Sequence, residues 1–321
     1  MKLFKKILSK FNGLQYNQEY LCLAKEKLVS PLHVYIIKNN LVLDDITSDH
    51  LFVGYSPLIF ALPDKKELDT HITVCLTAKP QLPNTSIRKK EVIAQLVLQK
   101  KYRQCCEGIT ILYYVGLNGR HQFLSPLQQS INDIYNLLYN QRKDNVFLNS
   151  NLYKQVQIAY SLPRVISLIT VGNTIQLFNL FPTDLQGPFE DHYLISLRHE
   201  GKACAQVEDA KRILLCNVDA SCFSYVYQLG KNHMQPLKEK SSFLFSKVES
   251  ITFNLPIPQH ALKYQELELK DAFICGIHKI LLFKVIHVET LNNSPSTLAH
   301  IHNYYATWRK TKQLEGNYLF R

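Results

Sequence analysis

A cationic turn separates an apolar run from a short helical segment in the second half of the sequence. Arg198 ends the run, and Lys202 follows it after a polar turn. A guanidinium group and the free N–H groups at a helix N-terminus both favour a phosphate group. Ser196 and Thr183 could add hydroxyl donors. These residues therefore indicate an anion site, with a solvated basic turn as the open alternative.

A carboxylate follows one of these candidate residues directly. Asp184 comes after Thr183, and a negative charge beside a bound phosphate would repel it. The same side chain could instead cap the turn that leads to Gly187 and Pro188. Asp184 is therefore the residue that speaks against the anion site.

No metal site or nucleophilic constellation is predicted. His300 and His302 have the spacing of two ligands on one strand face, but residues 298–314 have a helical pattern, in which residues two apart do not share a face. None of the eight cysteines forms a Cys-x-x-Cys pair. The sequence also contains no glycine-rich phosphate loop and no Ser/His/Asp order.

The candidate residues belong to residues 163–219, which have a clear order of predicted elements. Gly172 and Asn173 separate two β-rich runs, which is a hairpin signal. Two further apolar runs follow, with a helical candidate at residues 203–211 between them. The order strand, hairpin, strand, strand, helix, strand favours an antiparallel barrel over a repeating βαβ array.

This order, together with its residues, resembles the flavin reductase-like family of FMN-binding split barrels. The resemblance covers about residues 163–289. Its pieces are a segment with Asn179, Phe181 and Thr183, a strand ending in Ser-x-Arg, and a later Gly-x-His strand in which Ile277 stands where the family usually has Asp.

The resemblance implies a cofactor, a reaction and a set of site residues. The cofactor would be FMN with NAD(P)H as co-substrate, and the chain would be an NAD(P)H-dependent flavin oxidoreductase acting as a homodimer. His278 would contact the flavin ring or the nicotinamide in a catalytic role, although a histidine on an apolar strand can equally be a hydrogen-bonded core residue. The implied cofactor-binding residues are Asn179, Phe181, Pro182, Thr183, Ser196, Arg198, Lys202 and Ala203.

The first half of the sequence lies outside this resemblance. The polar segment 141–151 predicts a boundary between an N-terminal α+β domain, residues 1–150, and an FMN-binding split-barrel domain, residues 151–321. Predicted helices at residues 89–102 and 127–139 accompany β-rich runs, and Asn118 and Gly119 predict a hairpin turn. The loosely similar order of elements suggests a degenerate second barrel, in which case one chain could supply the dimer pairing itself.

Composition leaves other functions open. The formal net charge of +11 favours anionic partners, and together with the 18 Tyr and 16 Phe residues it motivates a nucleic-acid-binding alternative. No nucleic-acid motif accompanies this charge. A catalytically inactive FMN-binding or scaffold protein is the other alternative. Free cysteines and the lack of a signal peptide predict a cytoplasmic protein, and no apolar stretch reaches the ~18 residues of a membrane span.

Overall fold

The computed structural model describes residues 12–24, 32–64, 68–139, 146, 148, 150–292, 296–314, 316 and 318–319. Of the segment 141–151, where the domain boundary was predicted, residues 141–145, 147 and 149 lie outside these residues. The described part has antiparallel sheets and five helices, which confirms the predicted fold class of mainly β with some α.

The elements are numbered in chain order. The strands are β1 (Tyr20–Ala24), β2 (His33–Lys38), β3 (Leu41–Asp45), β4 (Leu51–Tyr55), β5 (Leu58–Pro63), β6 (His71–Thr77), β7 (Val92–Cys106), β8 (Ile109–His121), β9 (Arg164–Val165), β10 (Ser167–Gly172), β11 (Leu177–Thr183), β12 (Gln186–Phe189), β13 (His192–Arg198), β14 (Arg212–Val218), β15 (Lys238–Glu239), β16 (Phe245–Glu249), β17 (Pro256–Pro258), β18 (Ala261–Cys275), β19 (His278–Thr290), β20 (Leu298–His302) and β21 (Tyr318–Leu319). The helices are α1 (Pro126–Tyr139), α2 (Ser150–Ala159), α3 (Lys202–Ala210), α4 (Phe223–Leu229) and α5 (Asn303–Thr311), with 3₁₀ turns at Ala220–Cys222, Gly230–Met234 and Lys240–Ser242.

Two large sheets make up the two halves of the chain. The N-terminal sheet has the order β3-β2-β6-β7-β8-β5-β4. The C-terminal sheet has the order β12-β13-β19-β18-β14-β10-β11-β15. The order predicted for residues 163–219 is confirmed, because a hairpin, two further strands, helix α3 and strand β14 follow one another there.

The two sheets repeat the same strand order. When β10, β11, β12, β13, β14, β18 and β19 are matched in sequence order with β2 to β8, both sheets give one and the same succession of neighbours. All pairs within each sheet are antiparallel. The N-terminal half is therefore a topological copy of the C-terminal half, with β15 as an additional edge strand in the latter.

The longest hairpin of each half repeats in finer detail. Strands β7 and β18 each have 15 residues, β8 and β19 each have 13, and both hairpins have a two-residue turn after a cysteine. The register shifts twice in each hairpin, at the same distances from the turn: between Val97/Leu98 and Lys100/Tyr102 in one, and between Glu266/Leu267 and Leu269/Asp271 in the other. Bulges at matching places are a strong sign of a shared backbone plan.

Each half has its own apolar core, and a third cluster joins the halves. This shared cluster contains Val53, Ile59, Ala61, Ile109, Ile111 and Tyr113 from the first half, and Phe189, Leu194, Cys275, Ile280 and Leu282 from the second. The two ends of the chain also meet, because β1 pairs with β20 in a small sheet of order β21-β1-β20-β9. A division at residue 150 stays a prediction, and these contacts cross it.

Three local predictions were wrong. Residues 92–102 of the predicted helix form part of strand β7, in which the successive residues 93–96 are all buried, so the apolar run lacks the strict alternation of a half-buried strand. Asn118 and Gly119 lie inside β8, opposite Val97 and Leu96. Residues 298–302 form strand β20 because they pair with the distant β1, and the predicted helix begins only at Asn303.

Candidate functional site

The candidate site lies where β13 ends, β19 begins and α3 starts. Arg198 is the direct cross-strand partner of His278, so the two residues are neighbours in the sheet. The backbone N–H of Gly201 bonds to the carbonyl of Arg198 at 3.0 Å and closes the turn before α3. Gly201 is the N-cap residue and provides no side-chain cap, so first-turn N–H groups of α3 remain available to a ligand.

The cationic side chains of this turn are exposed. Arg198 Nε donates to the hydroxyl of Tyr55 at 2.9 Å, and the guanidinium lies 5.9 Å from the centre of the Tyr55 ring. Neither Arg198 nor Lys202 forms an ion pair with the residues that the structure describes. The terminal nitrogens of both side chains can therefore meet an anion without breaking an existing ion pair.

His278, the cross-strand neighbour of Arg198, is buried, with 1% of its surface exposed. Its Nδ1 shares a hydrogen bond of 3.2 Å with Ser196 Oγ, and its ring meets the Tyr55 ring edge-on at 4.5 Å between centroids. Burial, with the positive charge of Arg198, lowers the pKa of His278 to about 4, so the ring is neutral at neutral pH. Its Nε2 has no hydrogen-bond partner among the described residues.

The predicted residues of β11 divide into interior and boundary positions. Asn179 is fully buried, and its amide donates to Gln206 and to the carbonyl of Asn232. Phe181 is buried in the C-terminal core, and Ala203 packs in the same cluster from α3. A ligand contact of Asn179 would have to replace one of these internal hydrogen bonds.

Pro182 and Thr183 are the last two residues of β11. The carbonyl of Pro182 accepts a hydrogen bond of 2.8 Å from His233 Nε2. Thr183 ends β11 and is buried opposite Ser167. The structure thus brings Ser196, Arg198, Lys202 and His278 together, whereas Asn179, Phe181 and Ala203 line the interior behind them.

The negative charge of Asp184 is neutralised within the protein. Its carboxylate lies 2.9 Å from His300 Nδ1 in a largely buried pair. Hydrogen bonding and attraction between the two, with Arg164 nearby, lower the pKa of Asp184 to about 2 against the opposing effect of burial. The same pairing raises the pKa of His300 to about 9 despite its burial. The expected repulsion of a phosphate by Asp184 is therefore weakened by a neighbouring cation.

Two residues of the site had no signal in the sequence. Tyr55 comes from the N-terminal half, at the end of β4, and reaches the site only through the packing of the halves. His233 lies in a 3₁₀ turn with its ring 5.0 Å from that of Phe181. Burial, with a smaller contribution from Arg198, lowers the pKa of His233. Both positions depend on long-range contacts, which local patterns do not record.

Other parts of the molecule offer less chemistry. Among the described residues, no group of three or more His, Cys, Asp or Glu side chains could hold a metal ion. Within the same residues, none of the helices combines the length and the apolar character needed to cross a membrane. Two open grooves, of about 780 and 660 Å³, are lined by other residues than Arg198, Lys202 and His278.

Among solved structures, the chain is similar to flavin reductases and to an FMN-binding protein. An FMN-binding protein from Thermus thermophilus with bound p-hydroxybenzaldehyde is 18% identical, and the match covers 41% of this chain and 74% of that one with a TM-score of 0.37. The flavin reductase component of a bacterial two-component tryptophan halogenase is 13% identical over 53% and 98% of the two chains, with a TM-score of 0.42. The styrene monooxygenase flavin reductase from Pseudomonas putida S12 is 14% identical over 52% and 99%, with a TM-score of 0.38.

No protein-family model and no curated protein matches the sequence. The predicted resemblance to the flavin reductase-like family is confirmed as a similarity to solved structures. At these TM-scores the similarity assigns neither a cofactor nor a reaction to this chain. Those assignments have to come from the site itself.

Proposed function

We propose that the chain binds FMN at the cationic end of β13 and is a flavin reductase-like oxidoreductase that transfers hydride from NAD(P)H to flavin. The observation that carries the proposal is the juxtaposition of Arg198 and Lys202 with the uncapped start of α3, next to the buried His278 on the neighbouring strand. Exposed cations, free N–H groups and one unpartnered ring nitrogen form a set that fits an anionic ligand with a polar ring.

The phosphate of the ligand would lie at the turn. The Arg198 guanidinium and the Lys202 ammonium supply positive charge, and the first N–H groups of α3 supply donors. Because Asp184 pairs with His300, its carboxylate lowers the positive electrostatic potential at the turn less than an unpaired carboxylate would. The turn therefore combines charge with donors whose directions are fixed by the backbone.

The ring of the ligand would lie towards His278 and Ser196. A bound flavin supplies the hydride chemistry, while the protein supplies binding and orientation. The neutral His278 can offer Nε2 to the polar edge of the ring, while Ser196 holds Nδ1. Tyr55 packs edge-on against the imidazole, with 4.5 Å between the ring centroids.

We also infer that the C-terminal sheet curls into the split barrel that the resemblance implies. In the sheet order β11 and β13 are far apart, yet the two strands approach each other in space. Leu185, between β11 and β12, accepts a hydrogen bond of 2.8 Å from the N–H of Ser196, which extends the β12–β13 ladder by one pair towards the end of β11. A curled sheet of this kind would bring Thr183 towards the ends of β13 and β19.

The proposal is tested by flavin binding and turnover. The purified protein is titrated with FMN, FAD and riboflavin by flavin fluorescence, and NADH and NADPH oxidation is then followed by absorbance with the preferred flavin. We expect FMN to bind more tightly than riboflavin, because only FMN carries the phosphate. Failure of all three flavins to bind at micromolar concentration would contradict the proposal.

A second candidate is a flavin-binding module without turnover. The observation that favours it is the burial of His278 beneath Tyr55, which leaves the imidazole without a route to a nicotinamide. The NADH and NADPH oxidation assays described above decide between the two candidates. Flavin-loaded protein that oxidises neither NADH nor NADPH above the rate of free flavin supports the module, whereas steady oxidation supports the enzyme.

A further inference from the structure

The contact between the halves is made by equivalent strands. The shared apolar cluster draws on β4, β5, β8 and the end of β7 in the first half, and on their counterparts in the matched sheet order, β12, β13, β19 and the end of β18, in the second. An interface in which the same surface of each partner meets the other is the isologous contact of a two-fold dimer. The two halves of this chain therefore pack like the two subunits of a symmetric dimer.

Contacts at the edge of this interface are also reciprocal. The turn between β18 and β19 meets the first half, where the N–H of Ile277 bonds to the carbonyl of Ser56 at 3.1 Å. The counterpart turn between β7 and β8 meets the second half, where Glu107 lies 3.3 Å from the ring of His192. A Cβ atom on Gly276 would lie 2.2 Å from the Ser56 oxygen, so this approach requires glycine.

The two halves differ at the candidate site around Arg198. Helix α3, of nine residues, joins β13 to β14, but the counterpart connection between β5 and β6 spans only residues 64–70 and is shorter than that helix. At the first position of β8, the counterpart of His278 is Ile109. Among the residues that the structure describes, the first half therefore shows no counterpart of the helix start, and Ile109 stands in place of the imidazole.

We propose that the chain is a built-in dimer with one ligand site, in which the N-terminal half acts as the second subunit and contributes Tyr55 as a positioning residue. The identity of the ligand rests on the proposed function, whereas the built-in dimer does not. Tyr55 fixes Arg198 through the hydrogen bond from Nε to its hydroxyl and packs its ring edge-on against His278. It reaches the site from the other half, as a residue of a partner subunit would.

Mass and stoichiometry test the first part. Light scattering after size-exclusion chromatography, across micromolar concentrations and without ligand, should give the mass of one chain, 37.2 kDa. Isothermal titration with FMN should give one site per chain. A stable two-chain particle, or two equal FMN sites per chain, would overturn the built-in dimer with one site.

A substitution tests the second part. Tyr55→Phe keeps the ring and removes the hydroxyl that holds Arg198, so FMN affinity should fall about three- to tenfold while riboflavin affinity stays within about twofold. Tyr225→Phe, whose hydroxyl accepts from the N–H of Leu244 away from the site, is the matched control and should change neither. Equal FMN affinity in Tyr55→Phe and the wild type would contradict the proposal that Tyr55 positions Arg198. If no flavin binds even to the wild type, the proposed function and the role of Tyr55 both fail, and the ligand-free mass still decides the built-in dimer.

Discussion

In the C-terminal half a nine-residue helix joins β13 to β14, whereas in the N-terminal half the counterpart strands are joined by residues 64–70 alone. The surrounding strands keep the same order and, in the longest hairpin, the same bulges. The two halves thus share the pattern of strand pairing and differ in the length of the connection between these two strands.

This difference separates what supports the fold from what supports the site. Strand order is held by buried apolar residues on both sides of each sheet, and many sequences satisfy that requirement. The candidate site depends on a helix start, one cation in β13 and one histidine at the start of β19. Function belongs to such local groups more than to the fold that carries them.

The largest expected effect comes from removing one partner of a buried ion pair that is built on the second half of the chain. Asp184→Asn removes the carboxylate that pairs with His300 in a largely buried site, and we expect the free energy of unfolding to fall by about 3–5 kcal/mol. Urea denaturation followed by far-UV circular dichroism measures the change.

The control for this substitution is Asp191→Asn. The carboxylate of Asp191 also pairs with a histidine, His192, but it is 73% exposed and screened by solvent, so its loss should change the free energy of unfolding far less than the loss of the Asp184 carboxylate. Equal effects of the two substitutions would show that the buried Asp184–His300 pair contributes no more to the free energy of unfolding than an exposed pair does.

A second prediction concerns the cluster that joins the halves. Leu282→Ala should lower the free energy of unfolding by about 2–5 kcal/mol, because Leu282 is fully buried in the shared cluster. The single tryptophan, Trp308, packs against the N-terminal core and reports on that half. We expect the Trp308 fluorescence transition to shift to a lower urea concentration in Leu282→Ala, although Leu282 belongs to the other half.

Exposed Leu244 provides the control for Leu282→Ala. Leu244→Ala should shift the Trp308 transition by no more than about 0.5 kcal/mol. If the midpoint of the Trp308 transition is unchanged in Leu282→Ala, the halves unfold independently, and the shared cluster does not couple them.

The sequence predicted the part of the fold whose signals are local. The hairpin at Gly172 and Asn173 and the helix before β14 are marked by turn residues and by a change of apolar period, and both are present. Strand β7 was mistaken for a helix, because a central strand with buried residues on both faces can match a helical stripe. Strand β20 was missed because its partner, β1, stands at the other end of the chain.

The candidate site was predictable only in part for the same reason. Ser196, Arg198, Lys202 and His278 lie on neighbouring elements and meet as the sequence order suggests. Tyr55 and His233 reach the site through contacts between distant segments. The interior positions of Asn179 and Phe181 depend on which face of β11 turns inward, and a seven-residue apolar run does not determine that.

A third prediction uses pH to act on the buried pair. The pKa of His300 is raised from its ordinary 6.5 to about 9, so its contribution to stability is complete below about pH 6.5 and is lost as the pH rises through 9. We expect the wild type to lose on the order of 2–3 kcal/mol of unfolding free energy across this window. Urea denaturation at pH 6.5 and 9.5 measures the loss.

The Asp184→Asn variant sharpens the pH prediction. Without the carboxylate the pKa of His300 should no longer be raised, so the variant should show a much smaller loss between pH 6.5 and 9.5. An identical loss in the variant and the wild type would assign the pH dependence to groups other than this pair.

The central claim is that only the C-terminal half holds a phosphate group, and Arg198 tests it most directly. Arg198→Ala removes a charge-assisted contact of roughly 1.5–3 kcal/mol, so FMN affinity should fall about ten- to a hundredfold while riboflavin affinity hardly changes. Arg212→Ala is the matched control, because Arg212 is also exposed but lies 3.5 Å from Glu268 on the neighbouring strand.

The measurement is a fluorescence titration of FMN and riboflavin with the wild type, Arg198→Ala and Arg212→Ala at one fixed salt concentration. We predict a loss of FMN affinity in Arg198→Ala alone, with riboflavin binding retained by all three proteins. Equal FMN affinity in the wild type and Arg198→Ala would contradict the phosphate site and leave the turn before α3 as ordinary basic surface.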